Sequence, residues 1–327
     1  MKKHITFLFA MLTLMAILLS ACAPTATEAP EEEKTKVAVA FPGVVSDQSW
    51  NQFGYEGLVQ AADDCDVEIA YSEDVFQDEQ LETFRNYAAE GYDIIIGHGG
   101  EYADAISTVA AEYPDIWFGD TNGIPEGDNI SMMIIGYGQM SYLAGALACE
   151  MTETNHLAFV GGESIGVVEH AAESFRAGAQ VCGNPIELDI VYTGNWADVN
   201  KAYEAGLSLI ADGADVLYHV LDTADAGLFA AAEDEGVYAI GLYRDSSDLG
   251  PGATIGSAIG SPGGLIYELA CGHIPMGQKQ YLTVHTPIWG VDIHMTDLVA
   301  ADIQTRVKAI HQQMVDDDLV IKNFGED

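Results

Sequence analysis

The chain has 327 residues, 49% of them apolar, which is long enough for two lobes that each bury a core. It carries 51 acidic against 12 basic side chains, a formal net charge of −39. That excess excludes nucleic acid and anionic lipid surfaces as electrostatic partners and is read as a solvated, self-repelling surface.

The first 22 residues, "MKKHITFLFAMLTLMAILLSAC", place Lys2 and Lys3 before an apolar run and small residues. This pattern predicts a secretory signal over residues 1–21. Leu19, Ser20 and Ala21 lead into Cys22 as in a bacterial lipobox, so Cys22 is the expected lipidation site. A lipidated terminus anchors a protein to the outer face of the cytoplasmic membrane without spanning it. Residues 22–35 are rich in Pro, Thr and Glu and predict a disordered tether, with the folded part starting at Lys36.

From there, short β-rich runs at 36–42, 67–72, 93–99, 116–120 and 131–137 alternate with helical patterns at 51–64, 78–91 and 101–114. The alternation restarts with helices at 140–154, 168–183, 197–213 and 223–236 between strands at 156–162, 186–194, 215–221 and 237–243. A strand at 252–260, a helix at 261–272, an extended piece at 284–297 and a helix at 298–318 complete the chain. Two successive series of this kind predict an α/β protein of two doubly wound, Rossmann-like lobes with parallel sheets. Ligands of such sheets bind beyond the carboxyl ends of the strands. Polar clusters fall there: Asp47–Asn51, His98–Tyr102, Asp120–Asn122, Gly162–Ile165, Asp222 and Arg244–Asp248.

Catalytic motifs are missing from the sequence. It contains no phosphate loop with lysine and no H-E-x-x-H. The glycine-rich "GHGGEYAD" at 97–104 lacks a lysine, and Glu101 and Asp104 would repel an anion. His98 and His219 lie in or beside strands, where a structural imidazole is at least as common as a base. No enzyme, cofactor or metal site is expected. Cys65, Cys149, Cys182 and Cys271 are widely spaced without a C-x-x-C, which excludes a zinc ribbon. Four such cysteines allow three full pairings, and four buried thiols are an equal alternative.

The residues "DQSWNQFGYEGL" (47–58), "SYLAGALACEMT" (141–152), "LAFVGG" (157–162), "FRAGAQ" (175–180), "NWADVNKAYEAGLSLIADGADVLYHV" (195–220) and "GVYAIGLYRD" (236–245) occur in that order. Together with the lipobox they resemble the basic membrane protein family of solute-binding lipoproteins, whose best-known members bind purine nucleosides. The resemblance implies a type I periplasmic-binding-protein fold with three crossings, near Gln139, Ser257 and His285. It also implies one lobe of residues 36–137 plus 257–283 and another of 138–256 plus 284–327. The implied function is to bind a small flat solute, a purine base or nucleoside, and hand it to an ABC permease.

By the same resemblance, Asp47 and Asn51 form the polar pair that bonds the ligand and Trp50 takes the aromatic position. Tyr102 matches an aromatic after a glycine-rich turn, Asp222 a ligand-facing position after a strand, and Asp245 an acid at a strand end. Each has a structural alternative. Asp47 or Ser49 caps the helix, Trp50 staples it, Tyr102 joins the core, and Asp245 caps the turn "DSSDLGPG". Trp196, with Asp198 as a cap, has a ready structural role, and Gln139 and Tyr142 fit hinge packing. The chain also departs from the resembling proteins. Gly260 stands where nucleoside binders often carry a lysine, and Tyr243 and Arg244 replace a shorter acidic pair. A ligand sensor or adhesin with the same fold, or a receptor for a sugar or another flat solute, are the alternatives.

Overall fold

The computed structural model describes residues 34–326. The expected signal segment, Cys22 and nearly all of the tether lie outside the described residues.

The first sheet starts with β1 (Lys36–Ala40), β2 (Glu68–Ser72), β3 (Ile94–Gly97), β4 (Trp117–Thr121) and β5 (Ile130–Ile135). Their connections are α1 (Trp50–Asp64), α2 (Gln80–Glu90), and a 3-10 turn over Gly100–Tyr102 that continues into α3 (Ala103–Glu112). The second sheet is built by β6 (His156–Gly161), β7 (Glu187–Tyr192), β8 (Val216–Val220), β9 (Tyr238–Tyr243) and β10 (Thr254–Ile259). Between its strands run α5 (Gly166–Ala179), α6 (Val199–Ala211) and α7 (Asp225–Glu235), and α4 (Tyr137–Met151) leads into it. The chain then returns through α8 (Pro262–Ala270) and β11 (Lys279–Leu282) before ending in β12 (Asp292–Met295) and α9 (Ala301–Val315).

Strand order is β11-β5-β4-β3-β1-β2 in one sheet and β12-β10-β9-β8-β6-β7 in the other. All pairings are parallel except β10 with β12. The sequence pattern missed the short β11 and read β12 only as extended chain. Ser257, expected at a crossing, instead lies inside β10, paired with Gly241 and His294. The chain leaves the second sheet only after Ile259.

Period-two alternation explains the layering. Val37 and Val39 of β1 face a core shared with α1 and α8, while Ala38 and Ala40 face Phe84, Tyr87, Ile106 and Val109 from α2 and α3. In the second lobe Leu157 and Phe159 pack towards Phe175 of α5, and Ala158 and Val160 towards Leu209, Leu228 and Phe229. Because both faces are covered, central strands such as β1, β3 and β6 are largely apolar, which is why the parallel sheets are legible in the sequence.

Helix α8 lies against α1 although some 200 residues of sequence separate them. A Cβ on Gly57 would sit 2.0 Å from the Gly263 carbonyl oxygen, so only glycine permits this backbone approach. A disulfide joins the C-terminal ends of the same helices, Cys65 to Cys271, with Cα atoms 5.5 Å apart. A second disulfide, Cys149 to Cys182, ties the end of α4 to the segment after α5. Each bridge lies within one lobe, and neither crosses the cleft. The connecting segments are held to each other by polar bonds: Val284 N donates to Gln139 Oε1 at 2.9 Å, and Ser261 N to the Trp289 carbonyl at 3.4 Å.

Candidate functional site

A cavity of about 420 Å³ opens between the carboxyl ends of the two sheets. Its first-lobe wall comes from the loops after β1, β2, β3 and β4, its second-lobe wall from those after β6, β7 and β8 and from the end of β9, and Tyr137 at the start of α4 lies between them. This is where open α/β sheets place ligands, because strand ends and helix starts there leave backbone groups and short loops facing outward.

The loop after β1 is organised by Asp47. Its carboxylate accepts from Ser49 N (2.9 Å), Asn51 N (3.1 Å) and Gln52 N (2.9 Å), capping the first turn of α1. Asn51 Nδ2 adds a fourth bond at 2.7 Å, while Asn51 Oδ1 is buried with no partner. Trp50 stands at the first turn with its ring stacked on His98, centroids 4.2 Å apart and planes at 9°. Its Nε1 donates to the His98 carbonyl at 3.1 Å, and His98 Nε2 returns a bond to the Trp50 carbonyl at 3.0 Å. A carbonyl can only accept, so the His98 proton resides on Nε2, and Nδ1 accepts from Thr121 Oγ1 at 3.1 Å. Burial lowers the His98 pKa to about 3, leaving a neutral ring that braces Trp50 from behind. Trp50 is thus both staple and cavity wall.

Asp222, after β8, faces the same loop from the other lobe and accepts from Ser49 Oγ at 3.4 Å. Burial raises its carboxyl well above the ordinary range, and the charges of Asp47 and Glu101 raise it further. Glu101 lies in the glycine-rich turn after β3, folded back over Gly99. Its side chain meets the cavity solvent, yet the surrounding protein removes enough water to push its pKa up to about 7, with a smaller contribution from Glu163.

Four aromatic rings line the cavity: Trp50, Tyr137, Trp196 and Tyr243. The Tyr137 and Tyr243 hydroxyls bond to each other, and burial keeps both protonated. Tyr243 ends β9 with φ of 68°, a left-handed conformation that costs a tyrosine on the order of 1–3 kcal/mol and turns the ring off the strand line. Trp196 lies over Gly162, where a Cβ would fall 2.1 Å from the indole. Its carbonyl accepts from Asp222 N (3.1 Å) and Ala224 N (3.2 Å), so this tryptophan and Asp222 are placed together.

Of the six residues expected from sequence, Asp47, Trp50, Asn51 and Asp222 are brought together around the cavity. Tyr102 and Asp245 are not. Tyr102 is fully buried in the first lobe, edge-on to Phe84, with its hydroxyl donating to the Val75 carbonyl at 3.0 Å. The helical turn that carries it points the ring inward beneath the loop and leaves Glu101 on the cavity side. Asp245 is about half-exposed, accepts from Ser247 N at 3.0 Å and approaches His294 Nε2 at 3.4 Å. The left-handed step at Tyr243 places that tyrosine, and not Asp245, on the cavity. His219 is buried beside Phe229 with its pKa lowered to about 3, and neither it nor His98 lines the cavity.

Sequence reasoning did not select Glu101, Tyr137, Trp196 or Tyr243. Three of them carried a readable signal, since Glu101 and Trp196 follow a strand and Tyr243 ends one. Tyr137 sits at the start of α4, between the lobes, a place visible only once the crossing is located.

A family model described as ABC transporter substrate-binding protein PnrA-like matches residues 34–317. Among similar proteins, the transcriptional activator protein med of Bacillus subtilis is 28% identical over 74% of this chain and 75% of its own length. The ABC transporter nucleoside-binding protein BmpA of Lactococcus lactis is 26% identical over 76% of each. The structure of an ABC transporter solute-binding protein from Conexibacter woesei superposes with a TM-score of 0.67 at 25% identity, covering 89% of this chain and 99% of that one.

Proposed function

The chain belongs to the Bmp family of PnrA-like ABC transporter substrate-binding proteins, and we propose that it takes a flat heterocyclic solute, a purine base or nucleoside, into the interlobe cavity. The family is one of solute-binding components, not of enzymes, and such components work outside the cytoplasm with a membrane permease as partner. The observation that carries the ligand reading is the pairing of aromatic walls with hydrogen-bond acceptors in one cavity: Trp50, Trp196 and Tyr243 beside Asn51, Glu101 and Asp222. A stacked ring contributes roughly 1–3 kcal/mol per base, and the acceptors select for ring N–H and amino groups or ribose hydroxyls. The similarity to a protein named as nucleoside-binding supports the same ligand class.

Cys22 carries the lipid that holds the receptor at the outer face of the membrane in this reading, and residues 23–35 are its tether. Among the described residues no helix is long and apolar enough to cross a membrane. The test is a thermal-shift and calorimetric screen of the purified chain against purine bases, nucleosides, sugars and amino acids. Ligand at about 100 times its dissociation constant stabilises the folded state by roughly 2.7 kcal/mol. A response to purines supports the reading, and a response only to sugars or amino acids keeps the receptor and removes the purine.

Similarity to a protein named as a transcriptional activator supports a second reading, a ligand sensor. Uptake of a labelled ligand by cells with and without the gene distinguishes the two, because a sensor leaves uptake unchanged.

A further inference from the structure

The binding cavity and the compartment beside it share Glu101, Asn122 and Trp196 in their walls. Among the described residues that line either space there is no lysine, arginine or histidine. The carboxyls are numerous: Asp47, Asp74, Glu101 and Asp222 line the first, and Glu163 joins Glu101 in the second. Nearby positive charge is engaged elsewhere. Arg244 donates to Asp248 Oδ1 and to the Asp245 carbonyl, both at 3.0 Å, and His98 is a neutral ring behind Trp50.

Hydrogen bonding shows the same bias. The Asp47 oxygens are filled by N–H donors, but Asn51 Oδ1, on a residue only 4% exposed at the cavity wall, has no donor at all. Asp222 has a single long bond, from Ser49. Glu101 bends back towards its own backbone. These three side chains are acceptors left open at the wall, and two of the three are carboxyls.

We infer that the solute carries a positive charge: a flat cationic heteroaromatic ring, held between Trp50, Trp196 and Tyr243 with its charge against Glu101 and Asp222. The inference rests on the receptor reading above and names the charge of its ligand. A cleft that closes over a neutral ring must bury Glu101 and Asp222 protonated or leave them ionised without a counter-charge. A cation removes that conflict, and aromatic faces favour a cation over a neutral ring of the same shape. The titratable groups that face Glu101 are the acids Asp120, Asp222 and Glu163 and the phenols Tyr102 and Tyr137, so nothing in the protein substitutes for the ligand's charge.

Two isomers test this, because N6-methyladenosine is neutral and 1-methyladenosine is a cation near neutral pH. Calorimetry at pH 7.5 on the full chain is expected to show 1-methyladenosine bound at least tenfold more tightly. Its affinity should fall towards pH 5.5 as Glu101 takes up a proton. Glu101→Gln, and separately Asp222→Asn, should weaken 1-methyladenosine more than N6-methyladenosine and so shrink the preference at least threefold, and a melting curve confirms that each variant is folded. Equal or tighter binding of N6-methyladenosine, or of adenosine, overturns the charge inference and leaves the purine receptor standing. Silence towards all three nucleosides, with purine bases and their N-methyl cations also silent, overturns both.

Discussion

Ser49 Oγ and Asp222 Oδ1 meet at 3.4 Å, 173 residues apart in sequence and in loops that leave different sheets. This bond joins the loop capped by Asp47 to the loop tied to the Trp196 carbonyl, and so couples the two lobes beside the cavity that Asp222 lines. Ser49→Ala is therefore expected to leave the fold intact while changing the ligand association rate more than the melting temperature, read by stopped-flow binding beside a thermal melt.

The carboxyl of Glu101 makes stability depend on pH in a stated direction. Its folded pKa, about 7, lies above the ordinary value of 4.5, so the folded chain holds a proton that the unfolded chain releases. That contribution is fully present below pH 4.5 and is lost as pH rises to about 7. The side chain still meets cavity water, so the expected size is about 1 kcal/mol. Urea unfolding at pH 5 and pH 8 should show a smaller difference in Glu101→Gln than in the parent, and an identical slope in both would remove this residue as its source.

The two tryptophans should separate by readout. Trp50→Ala empties a stacked position over His98 and is expected to lower stability by about 3–5 kcal/mol, with binding lost as well. Trp196 is only half-buried, so Trp196→Ala is expected to cost little stability and at least tenfold in affinity. Equal affinity in Trp196→Ala would exclude its ring from the ligand contact.

Tyr102 and Asp245 supply the matching controls. Tyr102→Phe removes the bond to the Val75 carbonyl, a loss of about 1 kcal/mol, and Asp245→Ala removes a turn cap near the surface. Neither lines the cavity, and both variants should bind with parental affinity. A tenfold loss in Asp245→Ala would instead place that loop against the ligand.

Reduction of the disulfides should affect stability and spare the cleft. The Cys65–Cys271 bridge closes a loop of 206 residues, for which the chain-entropy account gives up to about 5 kcal/mol. Cys65→Ser with Cys271→Ser is expected to lower the melting temperature by several degrees with ligand affinity preserved, since neither bridge joins the lobes.

Much of this protein is written locally. Apolar runs of four to seven residues between helical repeats fix a parallel α/β architecture, because a strand covered on both faces must be apolar at every position. The loop Asp47–Asn51 is readable for a related reason: an acid three residues before a helix start can bond the first-turn N–H groups wherever the chain goes next. Tertiary structure decided the rest. Which aromatic rings face the cavity depends on a left-handed step at Tyr243 and on where α4 leaves the first sheet, so Tyr243 and Tyr137 entered the site while Tyr102 turned into the core. The disulfide partners follow from the close backbone crossing of α1 and α8 at Gly57 and Gly263, a contact between segments about 200 residues apart that no local pattern encodes. The charge of the cavity is likewise a sum over separate loops, with acids from those after β1, β2, β3 and β8. Each of these four loops alone reads as an ordinary acidic turn, and only their convergence produces an acid-lined cleft with no cation among its described walls.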